Sequence, residues 1–425
     1  MNLAGKNILV VGMGKSGRAA LEFLTAREAR VTTTDMQPRA AAGFRPQTEE
    51  LFGEPWDLIV LSPGVPADLT GVAQARARGV DVIGEVELAA PWLKGPVVAI
   101  TGSNGKTTTT SLVGHILASA GVPAQVGGNI GMPVIGMAET SREDQWNVLE
   151  LSSFQLETTR SLRAHVGVCL NVTQNHLDRH HTFESYAAAK GNLFRMQHAG
   201  DYAVLNADDA TCRSFAELTP ATPLWFTGED IRDGQVFLGS EPLMPVGDIP
   251  IPGAHNVENV MAAALAARIA GAGLPQIAAA VRTFRAVEHR LEFVGEHGGV
   301  RFYNDSKATS VDATIKALDS FSGNLWVILG GKDKGSDYSV LRDRLSRKAH
   351  AALLIGAAAE KIGRQLNGAT KLVYSGTLQS AVEEAWRGAH PGDTVLLAPA
   401  CASFDQFQSY EHRGSVFKEL VNRLN

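Results

Sequence analysis

Residues 97–108 read Val97-Val98-Ala99-Ile100-Thr101-Gly102-Ser103-Asn104-Gly105-Lys106-Thr107-Thr108. The apolar, β-branched start predicts a buried strand, and a helical pattern follows the glycine turn. The backbone N–H groups of such a turn, together with the helix N-terminus, can wrap a phosphate chain. Lys106 would then reach the outer phosphates and the Thr107 hydroxyl would bind magnesium. The standard motif has four residues between its glycines, whereas two separate Gly102 from Gly105.

The composition is that of a globular protein. The 425 residues are 44% hydrophobic and 20% charged, and this length is sufficient for two to four domains, each with its own core. The net charge of −5 and the pI of about 6.2 give no basic surface, so nucleic acid is not an expected partner. Three widely spaced cysteines, Cys169, Cys212 and Cys401, fit a reducing compartment better than a disulfide framework.

No stretch of the chain has the pattern of a signal peptide or of a membrane span. The N-terminus runs directly into a predicted strand, without the apolar core of a signal sequence. The longest apolar stretch, residues 261–281, is interrupted by Arg268, Gly271, Gly273 and Pro275, which predicts two buried helices joined by a turn. We therefore expect a soluble, cytoplasmic protein.

A second glycine motif lies near the N-terminus. A strand predicted over 7–11 leads into Gly12-Met13-Gly14-Lys15-Ser16-Gly17, a helix from Arg18 to about Ala26, and a strand that ends at Asp35. This order is the fingerprint of a dinucleotide-binding fold, with the acid placed for a ribose. A lone fingerprint indicates a nucleotide-binding fold more firmly than it indicates NAD. A strand over 57–61 then ends in a turn, 62–65, at the sheet edge where such folds bind ligands.

The remaining chain predicts two further α/β regions. Strands are expected over 146–150, 166–171 and 203–207, a helix carrying Lys190 over 183–198, and a ligand-facing loop over 127–133. Short segments over 224–251 predict a small antiparallel appendage. The last region should contain a parallel sheet with the strands 300–304, 325–329, 352–355, 371–374 and 394–398.

The predicted fold class is therefore α/β with three consecutive domains. An N-terminal Rossmann-like domain would span residues 1–93, and a Gly/Pro break near residue 95 would end it. A central ATPase-like domain with the phosphate loop, a parallel sheet and the appendage would span 94–286. A C-terminal Rossmann-like domain would span 287–425.

Several polar residues are candidates for chemistry. Glu150 ends a predicted strand and would either complete a magnesium shell with Thr107, cap a helix or lie on the surface. His176 and His180 have i, i+4 spacing, but the neighbouring sequence lacks the cysteines or the glutamate of a zinc site, so a histidine near magnesium or a polar loop fits better. Cys401 has no evident base partner, which favours a buried structural cysteine over a nucleophile.

Four cations in the last region, Arg290, Lys307, Lys332 and Lys334, lie on loops at strand ends. Each alone is most often a solvated surface charge. Together at one sheet edge they would suit an anionic substrate or a transferring phosphoryl group.

The shortened phosphate loop resembles that of the Mur ligases and the folylpolyglutamate synthetases, which accounts for its two-residue spacing. Within the Mur ligases, four further motifs are similar to those of D-glutamate-adding members, and they occur in order along essentially the whole chain. These are ELSSFQLE (150–157), NVTQNHLDR (171–179), NDSKAT (304–309) and PACASFDQF (399–407).

The resemblance implies a cytoplasmic step of peptidoglycan precursor synthesis. ATP would phosphorylate the terminal carboxylate of UDP-N-acetylmuramoyl-L-alanine, and the D-glutamate amine would attack the acyl phosphate to give an amide, ADP and phosphate. The partners would be these small molecules, and the protein would be a monomer. This chemistry depends on positioning, charge neutralisation and exclusion of water.

The resemblance also implies residue roles. ATP would contact Gly102, Ser103, Asn104, Gly105, Lys106, Thr107, Thr108, Asn256, Asn259, Arg290 and Asp305. Two magnesium ions would be held by Thr107, Glu150, His176 and a carbamylated Lys190. The uridine diphosphate part would lie near Lys15, Ser16, Asp35, Met36 and Gln37, with Asn129 in the substrate loop, and D-glutamate would lie near Lys307, Thr309, Lys334, Ser403, Phe404 and Tyr410. The implied catalytic set is Lys106, Glu150, His176, Lys190, Arg290 and Lys307.

The sequence departs from the family pattern at two places. Family members often carry an acid at the position of Lys332 and basic or hydroxylic residues near Met36 and Gln37. The alternative functions are a neighbouring ligase that adds another amino acid, an NAD-dependent dehydrogenase and a nucleotide-binding switch. A dehydrogenase would leave the phosphate loop without a function, and a nucleotide-binding switch would not explain ligand-bearing loops in three consecutive domains.

Overall fold

Three mainly parallel sheets organise the chain. The computed structural model describes residues 2–38, 40–285 and 287–424, with the backbone alone at Asp178. The chain forms two compact units, Met1–Asp248 with Glu258–Arg282 and Ile249–Val257 with Thr283–Asn425. The first unit contains two of the sheets and the second unit contains the third.

The N-terminal sheet has the strand order β2-β1-β3-β4, and all of its pairings are parallel. Its strands are β1 (Asn7–Val11), β2 (Arg30–Thr34), β3 (Leu58–Leu61) and β4 (Asp81–Gly84). Its helices are α1 (Lys15–Thr25), α2 (Glu49–Gly53), α3 (Thr70–Ala77) and α4 (Glu85–Ala89). Gly14 is the N-cap of α1. The helix therefore begins three residues before the predicted Arg18, and Lys15 and Ser16 lie in its first turn.

The central sheet is fully parallel, in the order β10-β9-β8-β5-β7-β6. Its strands are β5 (Val97–Thr101), β6 (Ala124–Gly128), β7 (Trp146–Glu150), β8 (Val166–Cys169), β9 (Tyr202–Asn206) and β10 (Thr222–Phe226). Its helices are α5 (Lys106–Ser119), α6 (Val134–Met137), α7 (Ser153–Leu156), α8 (Leu177–His180), α9 (Phe183–Arg195) and α10 (Ala210–Ser214).

Two predictions about this sheet are wrong. The glycine-rich stretch predicted as a loop begins inside β6, because Gly128 pairs with Glu150 and a Cβ on it would lie 2.3 Å from the Glu150 carbonyl oxygen. Glycine is used here for close strand approach. Residues 224–226 belong to β10, a parallel edge strand of the central sheet, and not to the appendage.

The antiparallel appendage itself is present further along the chain. It consists of β11 (Ile231–Arg232), β12 (Gln235–Leu238) and β13 (Glu241–Pro245). Two helices follow, α11 (Ala254–Ile269) and α12 (Leu274–Thr283), as the apolar stretch around 261–281 predicts. None of the helices in the described part of the chain is long and apolar enough to cross a membrane.

The sheet of the second unit has the order β14-β15-β19-β16-β17-β18. Its strands are β14 (Glu292–His297), β15 (Val300–Asn304), β16 (Leu325–Gly330), β17 (Ala349–Ile355), β18 (Lys371–Gly376) and β19 (Thr394–Leu397), and its helices are α13 (Val311–Asp319), α14 (Arg342–Lys348), α15 (Ala359–Leu366), α16 (Leu378–Gly388) and α17 (Tyr410–Asn422). The five strands that we predicted for this sheet pair in parallel, as expected, and the sequence missed a sixth, β14, which pairs antiparallel with β15 at one edge. Gly298 and Gly299, both with positive φ, form the connecting two-residue turn.

Short 3₁₀ segments complete the secondary structure. They are Ala90–Trp92, Phe215–Leu218, Gly228–Asp230, Val246–Asp248 and Ser339–Leu341.

Both faces of the third sheet are buried. Val327 and Leu329 of β16 pack in one apolar cluster, whereas Trp326 and Ile328 of the same strand pack in another on the opposite face. This alternation follows from the two-residue period of a strand, and helices on both faces bury the nearly continuous apolar runs of parallel strands.

In the first unit one apolar cluster continues from the N-terminal sheet into the central one, joining Leu88 and Ala89 to Val134 and Ile135. The Glu85 carboxylate lies at this junction, 2% exposed, and its Oε1 accepts a hydrogen bond of 2.6 Å from the backbone N–H of Ile135. Burial raises the pKa of Glu85 to about 7. A carboxyl group thus crosslinks the two sheets in an apolar setting that disfavours its charged form.

We predict that Glu85→Gln increases stability at high pH relative to the parent protein. The folded-state pKa lies above the unfolded value of about 4.5, so the folded protein keeps a proton that the unfolded chain releases between these two values. The parent protein therefore loses stability as pH rises from about 4.5 to about 7, by at most about 3 kcal/mol. Glutamine keeps the acceptor for Ile135 and does not ionise.

The measurement is thermal unfolding of both proteins at pH 5 and pH 8. The melting temperature of the variant minus that of the parent should be clearly more positive at pH 8. A difference that is the same at both pH values would contradict the interpretation of Glu85.

Candidate active site

The phosphate loop follows β5, whose five residues are all buried, and ends where α5 begins at Lys106. Gly102 and Gly105 have φ values of 150° and 86°, a region that residues with a side chain rarely adopt. A Cβ on Gly105 would also lie 2.2 Å from Oδ1 of Asn259. The shortened loop therefore needs glycine at 105 for two separate reasons.

The loop is braced by Asn171. The N–H of Ser103 donates to the Asn171 carbonyl over 2.8 Å, and the N–H of Asn104 donates to the Asn171 side-chain oxygen over 2.9 Å. These two N–H groups are thus already hydrogen-bonded within the protein. The first N–H groups of α5 have no acceptor inside their own helix, so residues 105–108 provide the donors for an anion.

The amino groups of two lysines converge on one backbone oxygen. Nζ of Lys106 lies 2.7 Å from the Gly102 carbonyl oxygen, and Nζ of Lys190 lies 2.8 Å from the same atom. Lys190, on α9, is 1% exposed. Burial and then the charge of Lys106 hold the pKa of Lys190 well below its usual range. The neutral amine is thus favoured at this position.

Glu150 lies at the end of β7 and is 1% exposed. Its Oε1 accepts a hydrogen bond of 2.7 Å from Nδ2 of Asn129, while Oε2 has no hydrogen-bond partner among the described residues. The surface and helix-cap alternatives are therefore wrong, because the side chain is buried and Ser152 caps α7. A buried carboxylate oxygen without a donor is what a divalent cation would satisfy.

His176 precedes the single-turn helix α8 in the left-handed conformation, with φ of 53°. Its ring contacts the Phe154 ring edge-on, with centroids 4.9 Å apart, and lies 6.3 Å from the Tyr186 ring. The Tyr186 hydroxyl is 2.9 Å from Oγ of Ser103. The loop with His176 is therefore linked through aromatic contacts to the phosphate loop.

Thr107 is 4% exposed at the start of α5. The described side chains include no group of three or more His, Cys, Asp or Glu residues arranged to hold a metal ion. A cation beside the phosphate loop would instead be bound by the Thr107 hydroxyl, the unpaired Oε2 of Glu150 and the His176 imidazole. Oxygen-rich ligands next to a phosphate loop suit magnesium.

A cavity of about 490 Å³ lies within the first unit. The predicted residues Lys15, Ser16, Asp35, Met36 and Asn129 line it, as do all four residues of the predicted ligand turn at 62–65, whereas Gln37 is not among the lining residues. Sequence reasoning missed Gln47 and Leu69, which come from a loop and a helix N-cap without a motif, and it gave no role to Gln155, although this residue lies in the ELSSFQLE motif.

Asp35 contributes to this cavity differently from the ribose-binding role that the fingerprint predicts. Its Oδ2 accepts from the N–H of Met13 over 2.7 Å, and its Oδ1 accepts from the N–H of Gln37 over 3.0 Å. The carboxylate thereby fixes the glycine turn after β1. The neighbouring Met36 side chain is 83% exposed.

The loops of the second unit bring together most of the cationic and polar residues that the sequence singled out there. Lys332 pairs with Ala402 through two backbone hydrogen bonds, and Nζ of Lys334 lies 3.5 Å from the Thr309 carbonyl oxygen. Nζ of Lys307 lies 5.6 Å from the centre of the Tyr410 ring. Ser403 is buried, whereas Phe404 is 66% exposed.

Asp305 and Arg290 lie beside this loop cluster. Asp305 is buried and accepts a hydrogen bond of 3.2 Å from the N–H of Leu291. Burial raises the pKa of Asp305 to about 6, although the charge of Arg290 opposes this shift. Nε of Arg290 has no hydrogen-bond partner in the described part of the chain.

Arg413, which sequence reasoning missed, holds together the two loops that contain Ser306 and Cys401. It is fully buried on α17, and its guanidinium donates to Oγ and the carbonyl of Ser306, both over 2.9 Å, and to the Cys401 carbonyl over 3.2 Å. Its position after a motif, inside an ordinary helical pattern, gave no local signal. Cys401 is buried beside the Tyr338 hydroxyl, and burial raises the pKa of its thiol to about 11, as expected for a structural cysteine.

The remaining predicted residues lie on α11. The Oδ1 of Asn259 is 3.3 Å from Oγ1 of Thr109 in the first unit. Asn256 is buried, and its side chain donates to the Pro252 carbonyl over 2.6 Å.

Three domain families match the chain in order. They are the Mur ligase MurD-like N-terminal domain over residues 6–84, the Mur ligase middle domain over 100–267 and the Mur ligase glutamate ligase domain over 289–401.

Curated relatives match over their full length. The UDP-N-acetylmuramoylalanine--D-glutamate ligase of Solibacter usitatus is 62% identical, covering 100% of this chain and 99% of that protein. The protein of that name from Acidobacterium capsulatum is 51% identical, with 99% and 97% covered, and that from Geobacillus kaustophilus is 41% identical, with 99% and 98% covered.

Solved structures show the same fold at low identity. The UDP-N-acetylmuramate-alanine ligase of Thermotoga maritima has a TM-score of 0.63 at 17% identity, covering 98% of this chain and 99% of that chain. A MurF ligase from Thermotoga maritima in complex with ADP has a TM-score of 0.62 at 15% identity, covering 99% and 96%.

We predict that Gly105→Ala weakens ADP binding at least tenfold and destabilises the first unit by roughly 1–3 kcal/mol. Alanine at 105 is strained by its positive φ and displaces Asn259. The matched control is Gly121→Ala, where φ is also positive, at 73°, but a Cβ would meet no atom within 4 Å.

Calorimetric titration with ADP and denaturant unfolding provide the measurements. The control should lose some stability and keep its ADP affinity. Equal ADP affinity in the two variants would contradict the requirement for close approach at residue 105.

Proposed function

Because the chain belongs to the Mur ligase family, we propose that it is the ATP-dependent, ADP-forming ligase that adds D-glutamate to UDP-N-acetylmuramoyl-L-alanine, a cytoplasmic step of peptidoglycan precursor synthesis. The observation that carries the substrate assignment is the 62% identity to a full-length UDP-N-acetylmuramoylalanine--D-glutamate ligase. The phosphate loop, the cavity of the first unit and the cationic loops of the second unit provide matching chemistry. A dehydrogenase and a nucleotide switch are not Mur ligases, and both alternatives are set aside.

The reaction has two bond-forming steps. A carboxylate oxygen of the muramoyl-alanine substrate attacks the γ-phosphorus of ATP, the bond to the β-phosphate oxygen breaks, and an acyl phosphate and ADP result. The D-glutamate amine then attacks the acyl carbon, loses a proton, and expels inorganic phosphate as the amide forms. Water at this stage would hydrolyse the acyl phosphate, so burial of the reacting groups protects the product yield.

The ATP phosphates are assigned to residues 102–108, where the N-terminus of α5 and the Lys106 ammonium offset their charge. Asn256 and Asn259 are proposed to contact adenine, Asp305 the ribose and Arg290 the γ-phosphate. The contact of Asn259 with Thr109, one helical turn into α5, supports its assignment.

Magnesium ions are assigned to Thr107, Glu150, His176 and a modified Lys190. The unpaired, buried Oε2 of Glu150 supports this placement. When bound, the metal would neutralise charge on the phosphate oxygens. A cationic Lys190 would repel it.

Carbamylation of Lys190 resolves that conflict. The neutral amine attacks CO₂, a proton is released, and the side chain ends in a carbamate anion, so the local charge changes sign. Burial and the lowered pKa of Lys190 favour the neutral, nucleophilic amine and support this proposal.

The cavity of about 490 Å³ is assigned to the UDP-linked substrate. Lys15 and the N-terminus of α1 would face the diphosphate, and the glycine motif would serve this group instead of NAD. Asp35, Met36 and Gln37 would lie near the uridine, and Asn129 near the muramoyl-alanine. The use of both Asp35 oxygens by backbone N–H groups indicates that this carboxylate acts by shaping the turn.

D-glutamate is assigned to the loop cluster of the second unit, whose cations suit a dicarboxylate. Lys307, Thr309, Lys334, Ser403, Phe404 and Tyr410 are the proposed contacts. Lys332 adds to this positive charge. We further propose domain boundaries at 1–93, 94–286 and 287–425, and a monomer.

We predict that an amino-acid panel gives phosphate release with D-glutamate only. The assay contains the protein, ATP, magnesium and UDP-N-acetylmuramoyl-L-alanine, with D-glutamate, L-glutamate, L-alanine, a diamino acid or D-alanyl-D-alanine. Lys106→Ala is the matched negative control, because it removes the phosphate-facing cation, and its turnover should fall by at least about 10³-fold. A faster response to another amino acid would overturn the substrate assignment.

We predict that Lys190→Ala loses activity and recovers part of it when a short carboxylic acid is added. Acetate or formate would place a carboxylate where the carbamate is missing. The assay is phosphate release at 0–200 mM added acid, with roughly tenfold recovery expected. Full activity of the variant without the acid would contradict the carbamate proposal.

A further inference from the structure

His180 lies in the loop between β8 and α9, as the last residue of the single-turn helix α8, and is 5% exposed. The residues at the two ends of this turn, His176 and His181, have positive φ values of 53° and 64°. Such a backbone conformation is strained in a residue with a side chain. One helical turn does not hold itself together in water. Contacts from outside must therefore fix it.

The His180 ring provides such contacts in three directions. Its Nε2 forms a hydrogen bond of 3.0 Å with Oγ of Ser153. The ring stacks on the Phe154 ring, with centroids 5.4 Å apart and an interplanar angle of 22°. It also meets the Tyr186 ring edge-on, with centroids 5.5 Å apart.

These three neighbours connect His180 to each part of the proposed magnesium site. Ser153 and Phe154 begin α7, three and four residues after Glu150. Phe154 also packs edge-on against the His176 ring. Tyr186 lies one helical turn before Lys190 on α9, with Nζ of Lys190 4.7 Å from its ring centre.

The contacts of His180 are those of a packed, hydrogen-bonded ring. Its Nε2 bonds to the Ser153 hydroxyl, and the rings of Phe154 and Tyr186 pack against it. The i, i+4 spacing of His176 and His180 thus places both imidazoles against Phe154 in one aromatic cluster, with the His180 ring stacked on Phe154 and the His176 ring in an edge contact with it.

We infer that His180 is a positioning residue for the divalent-cation site: it joins the segments that carry Glu150, His176 and Lys190 through Ser153, Phe154 and Tyr186. The inference rests on the proposed function, because it concerns the metal site of that reaction. Residues that orient metal ligands are typically worth 10–100-fold in metal affinity.

The test is Mn²⁺ binding in the presence of ADP, followed by electron paramagnetic resonance of the free ion. His180→Ala should raise the Mn²⁺ dissociation constant roughly tenfold. His180→Phe keeps the ring contacts and should recover the affinity to within roughly threefold of the parent protein. ADP affinity without metal should stay unchanged in both variants. In turnover assays of His180→Ala, the magnesium concentration that gives the half-maximal rate should rise, while the KM for D-glutamate stays constant.

His181→Asn is the matched control. His181 is the adjacent residue, its side chain is exposed beside Asp68, and asparagine tolerates a positive φ. This variant should bind Mn²⁺ like the parent protein.

A lower melting temperature of His180→Ala with unchanged Mn²⁺ affinity would overturn the inference and reduce His180 to core packing. Failure of the proposed function would look different, because the parent protein itself would then release no phosphate with D-glutamate. A parent protein that shows D-glutamate-dependent turnover, with a His180→Ala variant of unaltered metal affinity, refutes the positioning role alone.

Discussion

Two lysine amino groups share the carbonyl oxygen of Gly102, and the chemistry of the active site depends on the charge that each of them carries. Lys106 approaches this oxygen from the start of α5 and Lys190 from α9, where water is excluded. Two positive charges bound to the same oxygen in a weakly polarisable interior repel each other strongly, so the charged form of at least one lysine is disfavoured. A bound phosphate offsets one charge, and conversion of the buried amine into an anion would remove the other. Under the proposed function, the same loop would therefore hold a nucleotide and a modified lysine together.

Each compact unit uses one fully buried basic side chain to hold its functional loops. In the first unit Lys190 contacts the phosphate loop, and in the second Arg413 donates to carbonyl oxygens of the two loops that begin at 305 and 400. Burial lowers the pKa of Arg413 to about 10, so it stays charged at neutral pH, and burial also holds the pKa of Lys190 well below its usual range. The arginine donates to oxygens of Ser306, Cys401 and Ala402 and serves as a fixed crosslink. Among the described residues, the lysine donates to Gly102 and Thr101 only, and it is the group to which the proposed function assigns a modification.

Much of the fold was predictable because parallel strands buried on both faces produce long apolar runs, as in 97–101 and 325–330. Four strands were missed or misplaced for specific reasons. β4 is only four residues long and is bounded by Asp81 and Gly84, residue types that are depleted in strands. β6 ends in glycines that resemble a loop, β14 is an edge strand with partly exposed residues, and β10 contains Pro223, which lowers strand propensity. Motif residues such as Lys106 and Glu150 were recognisable because their roles come from local spacing. Glu85, His180 and Arg413 hydrogen-bond to Ile135, Ser153 and Ser306, which are 50, 27 and 107 residues away in sequence, so no local pattern shows these contacts.

The three cysteines have a practical consequence for following motion in this protein. Cys169, Cys212 and Cys401 are all free thiols buried in the apolar cores, two in the first unit and one in the second. Thiol reagents react with accessible thiolates, so the native chain offers them little target. A fluorophore would therefore label a cysteine introduced on the surface of each unit in strong preference to the three native cysteines. Energy transfer between two such labels would report the separation of the units during turnover without any need to remove the native cysteines.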